Sequence, residues 1–461
     1  MDKTITKGEV FNIMGKGTFW NTLFNISSKV VGIAIAAIVL TRLSVYEYGL
    51  IELILSSVAV LNIFVLPGLS STVVSDMSVE IAEGNGLAAK SLLRSYFNLQ
   101  VVLALLAFSL IILMGSFLGK ISNTSSIYFF ILSFNFITSP FRSLFITAFS
   151  VSHEFFKRNA FSFFEELSKL AIISVFLFSK KIEVGTVILS SVLAPVIPII
   201  IFSPFLIKTL KSFNFGLDKS FPIKYYIFNH GIWGVFTNYA NNFGQAVRLW
   251  LVKFFIGTEA VAVASLAQTL MAHTLSIFNF QSVLGPVLSR YTNDIKRLSI
   301  LAVKSVKYQM VIFVLLAVFV AIAFPLLLVI LFPKYEPVIP IFTIMLISVI
   351  PHSFAVVLSP LYNTFKAQKE LFSSIMFKNG FIVLYSAIFL PVFGIYGVAF
   401  EYALTILTFT IERYRRIKRR LPEFSISPKS IFSFDENDEF VFQMIKQKFF
   451  RFSKFTSFFK K

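Results

Sequence analysis

A dozen apolar runs of about twenty residues each constrain this chain before any other feature does. They fall near residues 17–41, 49–69, 96–117, 127–150, 161–179, 184–207, 230–252, 260–285, 308–332, 338–362, 372–391 and 395–412. A membrane-spanning helix needs roughly 20 mostly apolar residues, and only helices or closed barrels satisfy their backbone polar groups in hydrocarbon. Barrel strands are about 10 residues long with alternating polarity, and that pattern is missing. The chain therefore reads as an all-α polytopic membrane protein with about twelve transmembrane helices. Its 56% hydrophobic content also exceeds the roughly 45–50% of soluble domains.

The N-terminus resembles a signal peptide, with Lys3, Lys7 and Lys16 ahead of the first run. That run extends from Gly17 to Thr41, longer than the apolar core of about 7–15 residues in a cleaved signal, and no small-residue cleavage site follows. It is expected to stay as the first span. There are no cysteines, so disulfides and thiolate metal sites are impossible and the redox compartment cannot be read.

A net charge of +19 would suit nucleic acid, but placement decides otherwise. Loops after odd-numbered spans hold only six of the 42 lysines and arginines: Arg42, Lys120, Lys180, Lys181, Lys253 and Lys334. The N-terminal segment, the loops after even-numbered spans and the tail from Arg413 hold most of the rest. This is the positive-inside bias, which puts both termini in the cytoplasm. Cationic loops facing anionic lipid account for the charge, with membrane lipids rather than nucleic acid as partners.

The chain divides into a cytoplasmic N-terminus (1–16), six spans (17–207), a central cytoplasmic loop (208–229), six more spans (230–412) and a tail (413–461). The tail joins the basic run "ERYRRIKRR" to a Phe- and Lys-rich end that suits a helix lying on the membrane surface. Laying the halves together from Trp20 and Trp233 sets Asn25 beside Asn238, Ser28 beside Asn241 and Lys29 beside Asn242. The coinciding positions are polar ones. Two pseudo-symmetric six-helix lobes, with a site where they meet, are a known transporter architecture.

Polar residues inside the spans are the candidate site. In "FTNYANNFGQAVRLW", Asn238, Asn241, Asn242 and Gln245 fall within a stripe about 60° wide on a helix of 3.6 residues per turn, with Arg248 at its edge. Asn21, Asn25, Ser28, Lys29 and Gly32 also share one side of the first span. An arginine at the bilayer centre costs ~2.5–3.5 kcal/mol even on insertion scales, so these faces are expected to line a hydrated cavity. Interhelical packing at about 0.6 kcal/mol per polar contact is the competing reading. Arg142, about 13 Å inside the fourth span at 1.5 Å per residue, is a further wall candidate, with Pro140 expected to free carbonyls for it. Glu165 and Lys169 have the spacing of a pair along one helix, while Glu166 either reaches water or serves gating and coupling. Glu401 lies at the depth of Arg248, where it either neutralises that cation or takes a coupling proton. Arg42 and Glu47 flank the first outward turn as an anchor pair. On this reckoning the cavity is net positive and suits an anion.

Catalytic motifs are missing. "GKGT" lacks P-loop spacing, there is no GxSxG or HExxH, and the histidines have no metal-ligand spacing. The outward loops are too short to build a glycan polymerase or ligase site. The chain is not expected to be an enzyme.

The segment "GKGTFWNTLFNISSKVVGIAIAAIVLTRLSVYEYGLIELILS" resembles the opening of polysaccharide-exporting, O-antigen-type flippases of the multidrug/oligosaccharidyl-lipid/polysaccharide (MOP) superfamily. "VRLWLVKFFIGTEAVAVASLAQTL", "LFPKYEPVIPIFTIMLIS" and "LPVFGIYGVAFEYALTIL" are similar to later parts of the same family, in order. The likeness covers most of residues 10–412. It implies a V of two lobes opening alternately to either side of the bacterial cytoplasmic membrane. It also implies an undecaprenyl-pyrophosphate-linked oligosaccharide as cargo, moved from the inner to the outer leaflet, and polysaccharide polymerase or chain-length proteins as partners. On that reading Lys29, Arg142 and Arg248 contact the pyrophosphate, while the amides bond sugar hydroxyls or water. The protein is expected to act as a monomer without cofactor, driven by a proton or sodium ion. Family members often place an acidic residue in the part matched by "QAVRLW", where this chain has Val247. A drug exporter of the multidrug and toxin extrusion (MATE) branch is the first alternative, and it would call for buried carboxylates. A glycan polymerase or ligase is the second, and a structural scaffold a third.

Overall fold

The computed structural model describes residues 7–61, 69–217, 232–276, 288, 294–365 and 367–425. Among these, every regular element is helical. The first half holds α1 (Lys7–Arg42), α2 (Val45–Val60), α3 (Leu69–Ala82), α4 (Gly86–Ser122), α5 (Ser126–Val151), α6 (Phe155–Phe178), α7 (Val184–Leu193) and α8 (Val196–Lys211). The second holds α9 (Ile232–Phe255), α10 (Thr258–Ser276), α11 (Ile295–Leu331), α12 (Val338–Leu346), α13 (Val349–Thr364), α14 (Gln368–Phe393) and α15 (Gly397–Arg420). The start of the N-terminus, most of the expected central loop (218–231) and the amphipathic end of the tail (426–461) lie outside the described residues.

Six described stretches are long and apolar enough to cross a membrane: Trp20–Arg42, Gly86–Ser122, Ser126–Val151, Val184–Lys211, Ile295–Leu331 and Gln368–Arg420. The last contains two of the expected spans, α14 and α15, folded back on each other across Gly394 at a φ of 56°. A seventh span is α12 with α13, bent by 56° between them. The remaining expected spans correspond to α2, α6, α9 and α10. These are short or carry polar side chains through their middles; α2 and α10 are the most buried of the four, while α6 and α9 also turn Val175, Phe178 and Phe254 outward. Helix α11 presents Leu315, Phe319, Ile322, Leu326 and Ile330 outward, a surface that acyl chains would cover.

Packing repeats between the halves. The contact of α6 with α1 has its counterpart in α14 with α9, and α4 with α5 in α11 with α13. Likewise α5 packs on α7 and α8, as α15 packs on α12 and α13. The molecule is thus two pseudo-symmetric six-span lobes. Helix α2 joins them, lying against α9 and α10 with Leu53 fully buried among Leu249, Val252, Val261, Ala264 and Leu390. Gly49 permits this approach, since a Cβ there would sit 2.1 Å from the Thr258 carbonyl oxygen.

The end of the molecule bearing the α1–α2 and α9–α10 turns carries two further links between the lobes. Lys334, in the turn between α11 and α12, donates from Nζ to the carbonyl oxygens of Thr41 (3.1 Å) and Leu43 (2.5 Å). Lys253, at the end of α9, donates to the carbonyl oxygen of Ile121 in the last turn of α4. Each cation meets a helix C-terminus, where carbonyls lack partners and the helix dipole is negative. Burial pushes the Lys334 amine below the usual lysine range, against the opposing pull of Glu47. The expected Arg42–Glu47 anchor is corrected here. Glu47 is committed to capping α2, its Oε2 accepting from Ser44 N (2.8 Å) and Ser44 Oγ (2.7 Å), while Arg42 is exposed.

Candidate functional site between the lobes

A chamber of mixed polar and apolar lining, 520 Å³ in volume, lies among α2, α5, α6 and α7 of the first lobe, with Asn242 of α9 bringing the second lobe to its wall. Pro140 positions its wall. Lacking an N–H, it leaves the Phe136 carbonyl without its helical donor, and Ser139 Oγ takes that oxygen at 2.9 Å. The helix runs on unbroken, so the freed carbonyl does not serve Arg142 as expected. Arg142 instead reaches across to α6, its Nη2 lying 2.9 Å from Glu165 Oε1. That contact replaces the expected Glu165–Lys169 pair along the helix. Glu166, Lys169, Asn135, Ser139, Ser191 and Asn242 complete the polar lining. The Arg142 Nε is buried without a hydrogen-bond partner in the chain, while the side chain as a whole stays partly exposed.

A second cavity of 700 Å³ opens between α1 of the first lobe and α10 and α11 of the second. Its polar side is Asn25, Ser28, Lys29, Thr269, His273 and Ser276. Its other side is apolar, built from Ile33, Leu40, Leu266, Leu270, Phe324 and Leu328 among others. Lys29 Nζ donates to Ser276 Oγ at 3.1 Å, across the lobe boundary. Glu166 lines both cavities and so marks where they adjoin.

Arg248 belongs to neither lining. It is buried and held by Glu401 in a two-pronged pair, Nε to Oε2 at 2.7 Å and Nη2 to Oε1 at 3.1 Å. Thr405 Oγ1 donates to the same carboxylate at 2.9 Å, and the guanidinium lies 5.1 Å from the Tyr402 ring centre. The expected role of Arg248 as a cavity cation is therefore corrected: its charge is spent on Glu401, and Glu401 is closed off with it. The two cavities hold Lys29, Arg142 and Lys169 against Glu165 and Glu166, far closer to balance than the expected cationic chamber.

The amide stripe of α9 also divides. Asn242 lines the chamber, Gln245 is exposed, and Asn238 is exposed with Nδ2 bonded to Gly234 O of its own helix at 2.9 Å. Asn241 turns to α14, accepting from Lys378 Nζ at 2.8 Å. Lys378 went unnoticed in the sequence although a lysine inside the 372–391 run was a visible signal. It is the eleventh residue of α14, as Glu165 is of α6. Arg413 went unnoticed too, being counted with the tail. It is buried, with Nε donating to Ser374 Oγ at 3.2 Å and its guanidinium 4.1 Å from the Phe409 ring centre. Among the described residues, no group of three or more histidines, aspartates or glutamates could hold a metal ion.

The fold is shared with solved transporters of low sequence identity. An inward-facing multidrug resistance MATE family transporter of the MOP superfamily matches with a TM-score of 0.71 at 11% identity, over 88% of this chain and 95% of that one. The lipid II flippase MurJ, inward closed, matches with a TM-score of 0.65 at 12% identity, over 89% of each chain. A MOP superfamily transporter from Pyrococcus furiosus, whose binding pocket is of reverse polarity, matches at 0.59 and 10% identity, over 89% and 94%. All three are transport proteins rather than enzymes. Among curated proteins no sequence matches. A family model described as polysaccharide biosynthesis protein matches residues 14–292. The chain is thus a multi-pass membrane protein of the polysaccharide biosynthesis protein family, built on the fold of MOP superfamily transporters.

Proposed function

We propose that the protein is a flippase that carries undecaprenyl-pyrophosphate-linked oligosaccharide from the cytoplasmic to the outer leaflet by alternating access. The observation that carries this reading is the adjacency at Glu166 of a chamber bearing Arg142, Glu165, Lys169, Asn135 and Asn242 and a largely apolar cavity. A lipid-linked glycan is itself polar at one end and apolar at the other. Its phosphates match Arg142 and Lys29, whose charge-assisted bonds to phosphate oxygens are roughly twice as strong as neutral ones. Its sugar hydroxyls match Asn135, Asn242 and Ser139. The end rich in lysine and arginine faces the cytoplasm in this reading, and a proton or sodium gradient drives the cycle. Translocation of a labelled lipid-linked oligosaccharide in proteoliposomes tests it. Arg142→Ala with Lys29→Ala should abolish transfer while leaving the protein in the membrane; transfer at the wild-type rate would overturn the assignment.

One observation favours a second reading. Glu165 and Glu166 place two carboxylates in the chamber, as a MATE-type exporter of cationic drugs would require. Resistance to cationic dyes on expression, lost in Glu166→Gln, would select that reading over the first.

A further inference from the structure

The second lobe holds a cluster of ionisable groups that neither cavity accounts for. Lys378 enters it from α14, and its hydrogen bond goes to a neutral acceptor, the Asn241 amide oxygen. Charged groups on two neighbouring elements act on it: Arg248 from α9, and Glu401 and Arg413 from α15. His352 of α13 lies within electrostatic reach as well, its buried Nδ1 without a partner. The one carboxylate among these, Glu401, is already claimed by both prongs of Arg248 and by Thr405. Among the described residues no carboxylate lies within ion-pair distance of Lys378. The Phe409 ring, 5.5 Å from Nζ, supplies a weak further contact.

Charge arithmetic then singles out one side chain. An arginine does not release its proton in proteins, so Arg248 and Arg413 hold theirs. Glu401 balances Arg248, and Glu412 acts on Arg413 while pairing with Arg416; Lys378, half-buried beside the two arginines with no counter-ion of its own, is the group able to release a proton. Its position gives that proton mechanical meaning. Lys378 and Asn379 together grip α9, since Asn379 Nδ2 donates to the Ala240 carbonyl at 2.6 Å. The helices approach so closely at Gly244 that an added Cβ would meet Asn379 Oδ1 at 2.2 Å. Next along α9 comes Asn242, in the chamber wall. Helix α9 is therefore clasped twice, by the fixed Arg248–Glu401 pair and by Lys378.

We infer that Lys378 is a proton-exchanging site that controls how α9 stands against the interlobe chamber. On release, Nζ gives its proton to solvent and becomes a neutral amine. The charge-assisted bond to Asn241 is then reduced to an ordinary one, and the seam between α9 and α14 loosens. This goes beyond the proposed cargo and does not depend on it.

The absence of cysteine from the chain permits a direct test. A Ser139→Cys reporter in the chamber is labelled with maleimide in the full-length protein, between about pH 6 and about pH 9, the range that a perturbed lysine reaches. Rates are normalised to the same thiol in unfolded protein. Labelling should rise severalfold with pH when Lys378 is present. Lys378→Met and Lys378→Arg, fixed neutral and fixed charged, should each abolish the rise. Asn241→Asp supplies a counter-ion, favours the charged amine and should move the transition to higher pH. A flat wild-type profile, or an unchanged rise in Lys378→Arg, would overturn the inference. No cargo is present, so failure here leaves the glycan assay intact, and failure there leaves this result intact.

Discussion

Removing Glu401 would strand the Arg248 guanidinium in a site that water does not reach. Breaking a buried pair in this way costs about 3–5 kcal/mol, whereas replacing both partners with apolar groups is often neutral. Glu401→Gln should therefore lower the thermal midpoint in detergent sharply. Arg248→Met with Glu401→Met should recover most of the loss, and equal damage from single and double changes would contradict a closed pair. The sequence showed Arg248 and Glu401 at matching depth, and neutralisation was one of two open readings. It could not show that Asn241 meets Lys378. Their contact spans 137 residues and depends on how each helix is rotated, which apolar patterning sets only loosely. Glu47 was misassigned for a similar reason: Ser44 three residues earlier offered it a nearer bond than Arg42 did.

At the scale of elements, the apolar runs were legible because a bilayer demands about twenty residues of them. The facing of α9 was not. A stripe about 60° wide is broad enough to serve two neighbours, and α14 took Asn241 while the chamber kept Asn242. Gly49 makes the corresponding point for α2, whose approach to α10 no periodicity reveals. Gly49→Val should disrupt this seam, since the added atoms meet the backbone at Thr258 and not a movable side chain. Overpacking costs typically about 1–3 kcal/mol. A lower thermal midpoint, with α2 more open to hydrogen exchange than α4, is the expected result; an unchanged midpoint would show that the lobes can slip apart there freely.

For the whole molecule, two lobes were visible in the coincidence of polar positions from Trp20 and Trp233, and the repeated helix pairings match it. What holds the lobes together was invisible, because Lys253 and Lys334 read as ordinary loop charges. Replacing both with methionine should weaken closure at that end. An Ala37→Cys reporter in the α1 cavity should then react severalfold faster with maleimide in detergent-solubilised protein. An unaltered rate would mean that α2 and the Lys29–Ser276 bond keep the lobes shut without them. Both lysines grasp main-chain oxygens, so no exchange of side chain at Thr41, Leu43 or Ile121 deletes the receiving atom. Such a latch is keyed to where a helix stops. One extra turn on α1 or α4 would carry its catch about 5.4 Å away and leave the lysine holding nothing.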